Sequence, residues 1–172
     1  MRAFLTGLLI WMAAVAHAAP TSFIFPSMDG GEIDLAQWRG QPVLVVNTAS
    51  RCAFTRQYDG LQELYDTYRD AGLVVLTVPS NDFRQELSSN EEVKDFCEVN
   101  FGLDMPMATI TSVRGTDAHP FYQWVKTEAG FEPRWNFNKV LIAPDGNVAA
   151  TFGSSARPMS RPVTSAIAAL LD

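Results

Sequence analysis

The chain has 172 residues, 47% of them hydrophobic, 11% aromatic and 19% charged, the size and apolar content of one globular domain, which excludes disordered and collagen-like chains. Thirteen Lys and Arg against 19 Asp and Glu give a formal charge of -6, which repels phosphate backbones and anionic lipid surfaces, so no nucleic-acid partner is expected. Two cysteines and two histidines are too few for a zinc-finger or zinc-ribbon framework.

In chain order, Met1-Arg2, the apolar run Leu5 to Val15 and Ala16-His17-Ala18 read as a secretory signal peptide over residues 1–18 with an A-x-A cleavage site. The run is short for a bilayer span and is followed by Pro20 rather than a basic flank, although an uncleaved anchor is the alternative. Residues 19–172 are expected to form a single domain, exported to the periplasm or secreted, without a membrane span after cleavage. Cleavage leaves His119 as the one histidine, and an oxidising compartment would allow the two cysteines to pair.

Phe23-Ile24-Phe25, the turn Asp29-Gly30-Gly31 and Ile33 to Leu35 predict a small hairpin. Val43 to Asn47 is a continuous β-branched and apolar run of the kind buried on both faces of a sheet. Beyond Cys52, Thr55 is placed to cap a helix carrying Leu61, Leu64, Tyr65 and Tyr68 and ended by Gly72. Leu73 to Val78 predicts a second buried strand stopped by Pro79. Ser89-Asn90-Glu91-Glu92 matches a capping box and opens a helix through Val93, Phe96 and Cys97 towards Gly102. Pro120 to Lys126 reads as a helix, with His119 at its start. Val140 to Ala143, the turn Pro144 to Asn147 and Val148 to Phe152 read as a hairpin, and Ser160 to Leu171 as a closing helix. This order is that of a thioredoxin-like α/β fold, a central mixed β-sheet flanked by helices with an N-terminal hairpin.

In that fold Cys52 falls between a central strand and a helix N-terminus, where backbone amides and the helix dipole favour an anion. An unassisted thiol with a pKa of about 8.5 is only a few per cent thiolate at neutral pH. Lowering a thiol pKa by about 1.5 units takes roughly 2 kcal/mol of preferential thiolate stabilisation. From position alone, a reactive cysteine and a buried inert one both stay open.

Asn47-Thr48-Ala49-Ser50-Arg51-Cys52-Ala53-Phe54-Thr55 resembles the active-site motif of glutathione peroxidases, commonly NVASKCGFT with Cys or selenocysteine at the position of Cys52. Leu76 to Phe83 resembles the family's FPCNQF segment, and Gln85-Glu86 with Ser89 to Glu92 resembles QEPGSNEE. Asp117 to Tyr122 resembles DAHPLY, and Arg134 to Lys139 resembles KWNFTKFL. These blocks follow the family's order over nearly all of the chain beyond the leader.

The resemblance implies a thiol-dependent peroxidase whose catalytic Cys, Gln, Trp and Asn fall on Cys52, Gln85, Trp135 and Asn136. The residue types suit the chemistry, because thiolate attack on a peroxide oxygen leaves charge on the departing oxygen, and amide and indole N–H groups are neutral donors for both. One residue fewer than usual separates Phe83 from Gln85. Ser80, Asp82 and Leu87 replace the family's Cys, Gln and Pro. Asp82 is expected to face solvent, or activity to suffer, since a carboxylate beside a thiolate would raise its pKa.

In family members that use thioredoxin, a resolving cysteine lies on the helix after SNEE. Cys97 lies on that helix one position early, so it is either the resolving thiol or a core residue beside Val93 and Phe96. The resemblance implies a hydroperoxide substrate, no metal or organic cofactor, and a thiol reductant, a thioredoxin-like protein more readily than glutathione. The stretch from Lys126 to Trp135 lacks the long insertion that family tetramers use at their interfaces, so the resemblance implies a monomer. A thiol–disulfide oxidoreductase would prefer C-x-x-C, whereas Thr55 stands three residues after Cys52. In a non-catalytic thioredoxin-fold binding module, the alternative from another class, Cys52 would be inert and the rim around Trp135 and Phe54 would hold a partner.

Overall fold

A computed structural model describes residues 22–171, and the expected signal peptide at residues 1–18 lies outside them. The hairpin forms from β1 (Ile24–Pro26) and β2 (Glu32–Asp34), paired antiparallel with Phe25 opposite Ile33. Four strands make the main sheet: β3 (Val43–Thr48), β4 (Val74–Pro79), β5 (Lys139–Ile142) and β6 (Val148–Phe152), in the order β4-β3-β5-β6. β3 pairs parallel with β4 and antiparallel with β5, so the sheet is mixed, and every residue of β3 and β4 is buried.

Alternation along these strands divides the core into two layers. Leu44, Val46, Val75 and Leu141 pack with Tyr58, Leu61 and Leu64 of α1 (Gln57–Tyr68), Val93 and Cys97 of α2 (Asn90–Phe101), and Val163 and Ile167 of α4 (Arg161–Leu171). Val43, Val45, Leu76, Val140 and Ile142 pack on the opposite face with the hairpin's Phe25 and with Phe121 and Val125 of α3 (Pro120–Ala129). The β-branched runs thus fill a sheet covered on both sides. Among the described residues no helix is long and apolar enough to cross a membrane.

Local signals explain where the helices begin and end. Ser89 caps α2 by accepting from Glu92 N, and Gly102 closes it in the left-handed region at φ 60°. Glu92 reaches back to Ser88 N rather than to the cap residue's own amide. His119 starts α3: Nδ1 accepts from Phe121 N, its Nε2 meets Ile24 O at 2.8 Å, and its ring stacks on Phe25.

The expected Thr55 cap is not formed. α1 begins at Gln57, Arg56 occupies the cap position without a side-chain bond, and residues 50–56 form successive turns. The Thr55 hydroxyl bonds backward instead: it accepts from Cys52 N at 3.0 Å, and its hydrogen faces Cys52 O at 2.7 Å and Ala49 O at 2.9 Å. Its local backbone partners within the turn outcompete the helix amides.

Candidate active site

Three segments meet at the β3 end of the sheet. The first is the Cys52 loop, held in shape by Thr55. Cys52 is 8% exposed, and its Sγ accepts from Phe54 N at 3.4 Å, the long contact expected of sulfur.

The second segment, residues 80–87, runs beside the first. Ser80 N donates to Thr48 O at 3.0 Å, Arg51 N to Gln85 O at 2.8 Å, and Ser50 N to Glu86 Oε1 at 3.0 Å. Glu86 Oε1 also accepts from Leu87 N at 2.8 Å, so one carboxylate oxygen ties the two segments together. Burial pushes the Glu86 carboxyl up, and the Ser50 and Leu87 donors oppose that shift. The shortened loop closes through Arg84, a non-glycine residue at φ 57°.

Asp82 is half-buried and tied to a neighbouring loop rather than turned out to solvent. Its carboxylate accepts from Val113 N at 2.7 Å, Arg114 N at 3.1 Å and Ser112 Oγ, because three donors of the 112–114 loop converge on it. Those donors anchor it to the neighbouring loop.

The third segment is the turn Trp135 to Asn138. Asn47, near the end of β3, clamps it: Nδ2 donates to Trp135 O at 3.0 Å, Oδ1 accepts from Asn138 N at 3.1 Å, and its carbonyl accepts from Phe137 N. Phe137 sits at φ 60°, a strained region for a bulky residue that persists where the surroundings over-determine it. Trp135 is 40% exposed and its indole packs on Phe83, with ring centroids 5.4 Å apart.

The structure brings Gln85 and Asn136 together. Asn136 is fully buried, and its Nδ2 donates to Gln85 Oε1 at 3.0 Å. That bond engages the Gln85 oxygen and leaves its Nε2 donors out of the pair. Asn136 Oδ1 is buried without a hydrogen-bond partner among the described residues. The backbone bond from Arg51 to Gln85 sets this carboxamide pair against the loop that carries Cys52.

Cys97 is on the same side of the sheet as Cys52, within the same core layer, and both are free thiols. It is fully buried, and burial pushes its thiol up to about 11. Tyr58 lies beside it, also fully buried and with its hydroxyl raised well above the usual phenol range by desolvation. In this conformation Cys97 is a protonated core residue.

Several residues of the site are harder to read from sequence. Asn47, Glu86 and Asn138 act through bonds to segments far along the chain. Lys139, at the head of β5, has its ammonium buried under α1. A charged residue in register with the inward-facing Leu141 is the signal that could have singled it out.

A single thiol in the loop ahead of the first helix of a thioredoxin-type sheet, with paired carboxamides on adjacent loops, defines a thiol-chemistry site of the one-cysteine kind. The family model described as glutathione peroxidase matches residues 21–126, and the chain belongs to that family. It is a thiol-dependent peroxidase by that membership.

Among similar proteins, a glutathione peroxidase from Lactococcus lactis is 41% identical over 136 residues, covering 76% of this chain and 87% of the relative. A hydroperoxy fatty acid reductase from Synechocystis is 37% identical, covering 86% and 94%. A crystal structure of T. cruzi GPX1 superposes with a TM-score of 0.68 at 29% identity, covering 87% of this chain and 94% of that one. A putative thiol:disulfide interchange protein from Chlorobium tepidum, at 18% identity and TM-score 0.64, covers 90% and 96% and shares the fold.

Proposed function

We propose that Cys52 is the peroxidatic residue: its thiolate attacks the outer oxygen of hydrogen peroxide or a small organic hydroperoxide, the O–O bond breaks, and water or alcohol leaves. Cys52 becomes a sulfenic acid, and the departing oxygen takes up a proton from water. The observation that carries this reading is the Asn136–Gln85 bond, which orients a carboxamide donor on the segment bonded to the Cys52 loop. Gln85 supplies N–H groups to the developing charge, Asn136 holds Gln85, and the half-exposed Trp135 closes the rim.

Cys97 is the resolving thiol in this proposal. Its sulfur attacks the Cys52 sulfenic acid, an S–S bond forms and water leaves, after which an external dithiol of the thioredoxin type reduces the disulfide. The first step proceeds in the closed fold, whereas the second needs α2 to open locally, because Cys97 is fully buried. We also propose that residues 1–18 direct export and that the mature chain works as a monomer in the periplasm or outside the cell. Recovery from the exported fraction of a chain beginning at Ala19 would support that placement, and an intact leader there would refute cleavage.

The test is stopped-flow tryptophan fluorescence of the reduced protein with hydrogen peroxide, beside Cys52→Ser and Cys97→Ser, with intact-mass analysis. A fast phase absent in Cys52→Ser and a product lighter by the two hydrogens of a new disulfide are expected. A stable gain of one oxygen in the wild type would remove Cys97 from the cycle. Oxidation no faster than that of a free cysteine would overturn the assignment of Cys52.

A further inference from the structure

Beneath the site lies a buried lysine that the peroxidase chemistry leaves unused. Lys139 is fully buried, and its Nζ donates to Gln57 Oε1 at 2.7 Å and to Phe137 O at 2.8 Å. Gln57 is the first residue of α1, and its Nε2 donates to Ser154 O at 2.6 Å. Ser154 Oγ accepts from Asn138 Nδ2 at 3.0 Å, and the same Nδ2 reaches Trp135 O at 2.6 Å. These bonds close a ring from Lys139 through α1 and the segment after β6, back to the Trp135–Asn138 turn.

We propose that Lys139 is a positioning residue for the peroxidase site: it fastens the turn bearing Trp135 and Asn136 to the start of α1 and so sets the donors that face the departing oxygen. The bond to Phe137 O is what makes the position specific. Phe137 is the left-handed residue immediately after Asn136, so a strained carbonyl is held on one side of the residue that orients Gln85. The backbone O of the residue before Asn136 is held as well, by Asn47 and Asn138.

The donor count agrees with this role. A neutral amine has two N–H groups for the two acceptors present, whereas an ammonium brings a third hydrogen for which the ring offers no further acceptor. Burial lowers the Lys139 ammonium to about 7, so near neutral pH the two-donor form is readily reached. A lysine kept only for charge would be expected beside a carboxylate, and its two side-chain contacts are neutral oxygens.

This inference rests on the peroxidatic reading of Cys52, and the test separates the two. Rate constants for Cys52 are measured with hydrogen peroxide and with iodoacetamide in the wild type, Lys139→Met and Gln57→Met. Alkylation reads the thiolate, while peroxide reads the thiolate together with the donors around the departing oxygen. In Lys139→Met the peroxide rate is expected to fall at least tenfold with alkylation changed less than twofold. Gln57→Met, which cuts the ring on the α1 side, is expected to give a smaller loss of the same selectivity.

Equal losses in both rates, or no loss in either, would overturn the positioning role. Should Lys139→Met fail to fold, Gln57→Met decides by the same ratio. A wild-type peroxide rate no faster than that of a free thiol would instead sink the reading of Cys52.

Discussion

Gln85 reaches its place because Arg84 before it takes a left-handed turn, and it stays there because Asn136 Nδ2 grips its oxygen at 3.0 Å. If Asn136 acts through Gln85, then Gln85→Ala and Asn136→Ala should each slow Cys52 oxidation by peroxide about 100-fold, the scale seen when one oxyanion donor is lost. The double variant should be no slower than the worse single one, since both remove the same donor. Multiplicative losses in a stopped-flow cycle would show that Asn136 contacts the peroxide itself. Glu86 permits a cleaner stability prediction. Glu86→Ala strands the Ser50 and Leu87 amides and should cost about 2 to 4 kcal/mol in urea unfolding at pH 7. Glu86→Gln keeps an acceptor for both and removes a carboxyl that burial disfavours in its charged form. It should unfold at equal or higher urea, and a loss as large as alanine's would contradict the assigned bonds.

At the scale of elements, α2 controls access to Cys97. Its capping bond from Glu92 N to Ser89 Oγ is worth about 1 kcal/mol, so Ser89→Ala should make local opening roughly fivefold more frequent. The phase that forms the disulfide should accelerate by that factor while the peroxide phase keeps its rate, which double-mixing fluorescence resolves. An unchanged second phase would mean that helix opening does not limit resolution. The strands and α2 are legible in the sequence because β-branched runs, the Ser89 box and Gly102 are local signals. The Thr55 cap is misread because a hydroxyl in a tight turn has several backbone partners, and sequence does not rank them. Asp82 is misread for a related reason: its donors lie about thirty residues onward, on a loop whose approach no periodicity announces. The carboxamides and Cys52 are legible through motif order. The ring around Lys139 is not, because Gln57, Ser154 and Asn138 meet only when β5, α1 and the segment after β6 are assembled.

Across the whole molecule, buried titratable groups give stability a particular dependence on pH. Between pH 7 and 9, Lys139 is the one described group with a shifted pKa whose titration spans the range. Its folded value of about 7 lies below the ordinary 10.5, so the unfolded chain binds more protons and stability rises with pH, by up to about 1.4 kcal/mol per unit. Cys97 acts with the opposite sign: its thiol is raised from 9.0 to about 11, so the unfolded chain releases its proton first and stability is lost as pH climbs through that interval. Tyr58, raised in the same direction, adds to the decline at the alkaline end. Urea midpoints of the reduced protein should therefore climb from pH 7 to about 9 and level off as the two effects cancel. Lys139→Met should remove the climb and leave only the fall, whereas Cys97→Ala should let the climb continue towards pH 10. A wild-type profile flat from pH 7 to 9 would mean that Lys139 titrates in the folded protein as it does in water, which its burial under α1 argues against.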